Sequence, residues 1–162
     1  MENQFGGRFC PSLSGCVAKD GRMAHAMEGG YLDALYETAA QSYRAVLCEE
    51  GDGALSSLFA TLAEDALWRF RLVGALIREL GANPTVRAQL RVDSYEPCGT
   101  RRELELRERE RMIRDAIREK KREVDRMESL MGKTQDGVVR SLLATLIGEA
   151  RRHAEQLESA LK

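Results

Sequence analysis

A small set of carboxylates and one histidine could bind a metal ion in this chain. Glu149 and His153 are one helical turn apart, so their side chains can converge on a single ion. Carboxylate and imidazole groups are ligands that iron and manganese accept. Further carboxylates could reach such a site from other helices, namely Glu37, Glu64, Asp65 and Glu119. The alternative for His153 is a hydrogen-bonded residue of the core.

Arg69 is unusual because it lies on an otherwise apolar stripe of a predicted helix. One interpretation is that its side chain extends along the helix and reaches the surface. The other is that it is buried beside a carboxylate, either Glu119 or Glu37, because arginine is well suited to neutralise a buried carboxylate.

The sequence indicates no acyl or phosphoryl transfer. No Ser, His and Asp residues cluster by spacing, and one of the 2 histidines, His25, lies near the N-terminus. Cys10 and Cys16 fit no strong motif. They are either a metal or redox clip or, as we expect, two free thiols in a mobile tail.

The charges are nearly balanced, with 25 Lys and Arg residues against 26 Asp and Glu residues. A net charge of -1 gives no electrostatic basis for binding nucleic acid or an anionic membrane. No apolar run approaches the roughly 20 residues of a membrane span, and the N-terminus has no hydrophobic signal region. We therefore expect a cytoplasmic protein without a nucleic-acid or membrane partner.

Apolar residues that recur three and four apart predict four helices, over residues 31–48, 54–80, 101–131 and 138–161. Residues 1–29 are rich in Gly and Ser and are predicted to form a poorly ordered tail, with the folded domain over residues 30–162. Gly81, followed by Pro84, predicts the end of the second helix.

The lengths of the three connections restrict the topology. Two short turns pair the first helix with the second and the third with the fourth, as antiparallel hairpins. The link over residues 81–100 is long enough to run the length of a bundle, because twenty extended residues reach about 65 Å. One long crossover between two hairpins predicts an all-α, ferritin-like antiparallel four-helix bundle.

Two segments carry a resemblance to a known family. Residues 59–64 through 76–84 resemble the second helix of the rubrerythrin, bacterioferritin and manganese-catalase group of ferritin-like proteins, and residues 136–143 through 149–153 resemble the fourth. Tyr43 resembles an aromatic residue on the first helix. The resemblance covers about residues 31–161. It implies two iron or manganese ions, held by a Glu from each of two helices and a Glu-x-x-His from each of the other two.

The residues at these ligand positions depart from the family pattern. The Glu-x-x-His positions fall at Ala66 and Arg69 on the second helix, and at Ala150 and His153 on the fourth. The ligand position of the first helix falls at Tyr36 or Glu37, and that of the third helix falls at Glu119. No Glu-x-x-His occurs in the chain. The resemblance therefore implies a degenerate site, in which an ion pair of Arg69 with Glu119 or Glu37 replaces the metals.

Three functions follow as hypotheses. The first is a non-catalytic structural or interaction module without a cofactor, acting as a homodimer or with another protein partner. The second is a divergent iron or manganese protein of oxidative-stress defence or metal handling, an oxidoreductase of the rubrerythrin type. The third is a small-molecule binder with a closed pocket lined by Ala66, Ala150 and either Tyr36 or Tyr43. We favour the first, which is not an enzyme.

Overall fold

The computed structural model describes residue 13, residues 17–85 and residues 102–162, the last range with its side chains from residue 106 onward. These ranges form four helices and no strand: α1 (Gly21–Cys48), α2 (Gly53–Glu79), α3 (Arg102–Met131) and α4 (Gly137–Ala160). The all-α class is confirmed, and α2, α3 and α4 begin and end within one residue of their predicted limits. In the part of the chain described, no helix is long and apolar enough to cross a membrane.

The first helix begins at Gly21 rather than at residue 31. The carboxylate of Asp20 accepts hydrogen bonds from two main-chain N–H groups of the first turn, each at 3.0 Å, and so caps the helix. Met23 and Met27, four residues apart, are buried in the core. The prediction of a poorly ordered tail over residues 1–29 is wrong for residues 21–29, because burial of these methionines outweighs the weak helix propensity of the glycines beside them.

Of the first 20 residues, the structure describes residues 13 and 17–20. Leu13 and Val17 are buried against the core. Residues 1–12 and 14–16, which include Cys10 and Cys16, are not among the described residues, so the prediction for those thiols stays a prediction.

The end of α2 confirms the predicted role of Gly81. This glycine has a φ of 98°, the left-handed conformation that residues with a side chain rarely adopt. Its N–H donates to the carbonyl of Arg78 at 3.0 Å, and the N–H of Ala82 donates to the carbonyl of Ile77 at 3.1 Å. This pair of bonds is a Schellman motif, which ends the helix.

The helices form two antiparallel hairpins. The N–H of Asp20, just before α1, donates to the carbonyl of Leu80, just after α2, at 3.0 Å. Arg109, near the start of α3, donates to the carbonyl of Ala160 at the end of α4, at 2.9 Å. Each short turn therefore folds one helix back along the preceding one, as predicted.

The hairpins meet with α1 antiparallel to α3. Arg44 pairs with Glu119, and Asp33, nearer the start of α1, pairs with Arg126, farther along α3. Because α2 is antiparallel to α1, it runs parallel to α3, so α2 ends and α3 begins at opposite ends of the bundle. This arrangement confirms the predicted long crossover between the second and third helices.

The interior has a charged layer between two apolar clusters. One apolar cluster lies where α1 begins and α2 ends, and includes Met23, Met27, Leu76, Leu130, Leu143 and Leu146. The other lies where α1 ends and α2 begins, and includes Cys48, Leu55, Phe59, Ile113 and Leu157. The buried polar side chains of the layer between them are Glu37, Gln41, Arg44, Asp65, Arg69, Lys120 and His153. Charges this deep need partners, because an unpaired buried charge is strongly unfavourable.

Candidate functional site

Arg69 is buried in the charged layer, with 8% of its surface exposed. Its guanidinium donates hydrogen bonds to the carboxylate of Glu37 on α1 and to that of Glu123 on α3. Both pairs are also ion pairs. The interpretation in which Arg69 reaches the surface is therefore wrong, because both terminal nitrogens of its guanidinium bind carboxylates inside the bundle.

Lys120 supplies a second buried cation to the same two carboxylates. Its side chain is fully buried, and its ammonium contacts Glu37 and lies 3.1 Å from Glu123 Oε2. Two cations and two carboxylates from α1, α2 and α3 thus form one group of balanced charge. We call Glu37, Arg69, Lys120 and Glu123 the Arg69 network.

The network changes the ionisation of its carboxyl groups in opposite directions. Burial tends to raise the pKa of Glu37, but the charges and hydrogen bonds of Lys120 and Arg69 outweigh it and lower this pKa to about 2. For Glu123 burial prevails, and its pKa is raised above the ordinary value. The pKa of Arg69 is raised as well, because its two carboxylate partners outweigh the effect of burial.

Glu119 belongs to a different pair from the one predicted. Arg44 Nη1 and Nη2 each lie 2.7 Å from one oxygen of the Glu119 carboxylate, a bidentate pair. Gln41 donates to the same carboxylate at 3.4 Å. The predicted Arg69–Glu119 ion pair is therefore wrong, whereas Arg69–Glu37 is present. One turn along α3, Glu123 takes the place expected of Glu119.

His153 lies in the core, where it contacts one carboxylate among the described residues. Its Nε2 is 2.7 Å from Oδ2 of Asp65, so the contact joins α4 to α2. Both side chains are more than nine-tenths buried. Of the two alternatives for His153, this geometry agrees with a core residue that has a polar partner.

Of the six predicted metal ligands, Asp65 and His153 are in contact, but the six do not form one group. Glu37, Asp65 and Glu119 have the separate partners given above, while Glu64 is exposed and Glu149 is half-buried. Among the described residues, no three His, Cys, Asp or Glu side chains form a group that could hold a metal ion. The described residues do not fit iron or manganese, because Glu37, Glu119 and Glu123 each already face a guanidinium or an ammonium group.

The remaining degenerate positions are occupied by packing side chains. Ala66 has no exposed surface and Ala150 has 1%. Tyr36 is half-buried and lines a cavity of about 190 Å³, which is partly open. That cavity is partly open and is lined by neither alanine, so it is not the closed pocket predicted around Ala66 and Ala150.

Sequence reasoning missed three of the charged residues that fill this layer. Lys120 continues the apolar stripe of α3 after Ile113 and Ile117, a signal that could have placed it inside. Glu123 carries no such signal, because α3 is rich in charges of both signs and the register between helices decides which of them are buried. Arg44 on α1 carries no such signal either.

The chain is similar in structure to Mycobacterium tuberculosis bacterioferritin BfrA. The two share 14% sequence identity with a TM-score of 0.61, over 90% of this chain and 87% of the bacterioferritin chain. No protein-family model matches the sequence, and no curated protein matches it significantly. At this identity the likeness establishes the fold alone. The chain therefore has the ferritin-like four-helix bundle fold.

Proposed function

We propose that this protein is a ferritin-like scaffold without a dinuclear metal centre, which acts as a non-catalytic structural or interaction module. The Arg69 network carries this proposal. In it, two buried cations bind the carboxylates on which an ion in the middle of the bundle would depend.

The positions of these residues support the proposal. By the resemblance to ferritin-like proteins, Arg69 stands where α2 would carry its metal-binding histidine, and Glu37 is one of the two candidates for the glutamate of α1. Ala66 and Ala150 stand where two further glutamates would be. The guanidinium of Arg69 thus lies against a carboxylate that the resemblance gives as a candidate ligand.

The energetics of burial point in the same direction. A divalent ion would have to take Glu37 and Glu123 away from Arg69 and Lys120. It would leave a guanidinium and an ammonium buried without counter-charges, which typically costs about 3–5 kcal/mol for a broken pair. The network thus competes with metal binding at its own carboxylates.

The test is metal analysis of protein purified without chelator and then incubated anaerobically with ferrous iron or manganese. We expect no stoichiometric metal and no change in thermal stability with either ion. Two equivalents per chain would contradict the proposal and favour the alternative, a divergent iron or manganese protein of oxidative-stress defence or metal handling.

A matched variant shows whether this assay detects a ferritin-like site in the same fold. It restores the missing ligands and removes the competing ammonium, with Ala66→Glu, Arg69→His, Ala150→Glu and Lys120→Gln. We expect this variant to bind iron or manganese and to gain stability on binding, whereas the unaltered chain does neither.

The interaction part of the proposal is a homodimer or a complex with another protein through helix faces. Val46 on α1 and Leu106 on α3 are the most exposed large apolar residues among those described, at 67% and 61%. Sedimentation equilibrium at micromolar concentrations tests this: we expect a dimer that Val46→Lys or Leu106→Lys weakens. A monomer at all concentrations would contradict the homodimer, and the proposed interaction would then require a different protein as the partner.

A further inference from the structure

The cavity beside the Arg69 network has an apolar wall and a charged mouth. All four helices contribute to it. Its apolar side chains are Met27, Val73, Met127, Leu130, Leu143 and Leu146. Toward solvent it is bounded by Gly30 and Asp33 of α1 and by Arg122 and Arg126 of α3. The cavity is thus a gap between the two hairpins that reaches from the surface to the core.

The size of the cavity limits what it can hold. A dry apolar cavity of about 150 Å³ in a protein accepts benzene. The cavity here, of about 190 Å³, is somewhat larger and has one polar side. It therefore suits an apolar body of roughly six to eight carbon atoms with a polar end.

The charges at the mouth favour a ligand with a negative end. Asp33 pairs with Arg126, and Glu119 with Arg44, while Glu37 and Glu123 belong to the Arg69 network. Every carboxylate of the lining therefore has a cationic partner. Arg122 is exposed, and within the described ranges no carboxylate pairs with it. A cationic ligand would find no free carboxylate here, whereas an anion would find Arg122.

We propose that this cavity binds a small amphipathic carboxylate, with its hydrocarbon chain against the apolar wall and its carboxylate at Arg122. The inference goes beyond the module role proposed above and does not depend on whether metal binds. It requires only the open gap, the apolar wall and Arg122, which has no carboxylate partner among the described residues.

The first test is calorimetric titration of the full chain with straight-chain carboxylates from butanoate to octanoate. Each added methylene that enters the cavity should tighten binding about fourfold. Octanoate should bind more tightly than octanol, and octylammonium most weakly. Affinity that does not change with chain length would overturn the apolar part of the proposal. Octylammonium binding as tightly as octanoate would overturn the charged part.

Two adjacent glycines of α1 offer a matched test of the location. A Cβ built on Gly30 or on Gly29 meets no atom within 4 Å, so both sites tolerate a side chain. Leucine also has the better helix propensity. Only Gly30 lines the cavity. We expect Gly30→Leu to weaken octanoate binding at least tenfold and Gly29→Leu to leave it unchanged. Equal affinity of the two variants would overturn the assignment of the site.

A second pair of variants tests the role of Arg122 independently of cavity shape. Arg122→Gln should weaken octanoate about two- to fivefold, as expected for an exposed ionic contact, and should leave octanol unchanged. Arg152→Gln, an exposed arginine of α4 outside the cavity, is the control and should change neither. A loss of octanol affinity equal to that of octanoate would overturn the placement of the carboxylate at Arg122.

Discussion

The Arg69 network and the His153–Asp65 contact lie in the same charged layer but join the helices differently. The network connects α1, α2 and α3 through two cations and two carboxylates. The contact of His153 connects α4 to α2 through the carboxylate of Asp65. Removing one member of the network therefore leaves charges on two other helices without balance, while removing His153 takes one partner from Asp65. The difference shows that three of the helices share one electrostatic centre and that α4 is attached to the layer more simply.

The largest expected effect is that of Arg69→Ala. It leaves Glu37 and Glu123 buried with only Lys120 between them, so we expect a loss of about 3–5 kcal/mol in the free energy of unfolding. Urea unfolding followed by circular dichroism measures this loss. Arg78→Ala, at an exposed position farther along α2, is the control and should change stability by less than about 0.5 kcal/mol. Similar effects of the two variants would mean that the network does not stabilise the fold.

The second-largest effect is expected from acid, which should weaken the Arg69 network. The folded-state pKa of Glu37, about 2, lies below its ordinary value of 4.5, so its contribution is present above pH 4.5 and is lost as the pH falls toward 2. Between about pH 4.5 and pH 3 this amounts to about 2 kcal/mol. Glu123 acts in the opposite sense: because its pKa is raised, its contribution to stability is lost as the pH rises through that pKa.

The pH effect can be isolated with a variant that has no ionisable group in the network: Glu37→Leu, Arg69→Met, Lys120→Met and Glu123→Leu. The difference in unfolding free energy between the unaltered chain and this variant, measured from about pH 3 to pH 7, should fall steeply below pH 4.5. A difference that stays constant below pH 4.5 would contradict the lowered pKa of Glu37, because the contribution of Glu123 changes mainly at higher pH.

A smaller effect is expected at the other contact of the layer. His153→Ala leaves the carboxylate of Asp65 buried without its imidazole partner, which should lower stability by about 1–3 kcal/mol. His153→Gln keeps an N–H donor and should cost less than about 1 kcal/mol. Gln156→Ala, at an exposed position of α4, serves as the control in the same urea experiment. A cost for His153→Ala equal to that of Arg69→Ala would remove the distinction between the two regions.

The smallest loss is expected when the whole network is replaced. Apolar residues of similar volume remove all four charges together, so the four-residue variant should be as stable as the unaltered chain or about 1–4 kcal/mol more stable. Thermal unfolding at neutral pH measures this. A large loss of stability in this variant would show that the four charges stabilise the bundle by more than neutralising one another.

Some parts of the site could be predicted from the sequence and others could not. Arg69 and Lys120 interrupt apolar stripes, and a charged residue on such a stripe indicates a buried, paired side chain. The choice of Glu123 over Glu119 could not be predicted, because the two are one turn apart on α3 and share a face. A rotation or shift of that helix by a fraction of a turn decides which one meets Arg69.

The sequence by itself determined the four helices, the end of α2 at Gly81 and the order of two hairpins with a long crossover. These features follow from local periodicity, from the conformational freedom of glycine and from the lengths of the connections. Only the tertiary structure decided the true start of α1, the pairing of the buried charges and the position of the cavity. Each of these depends on which faces meet across the bundle, and contacts between residues far apart in the chain are set by packing rather than by local pattern.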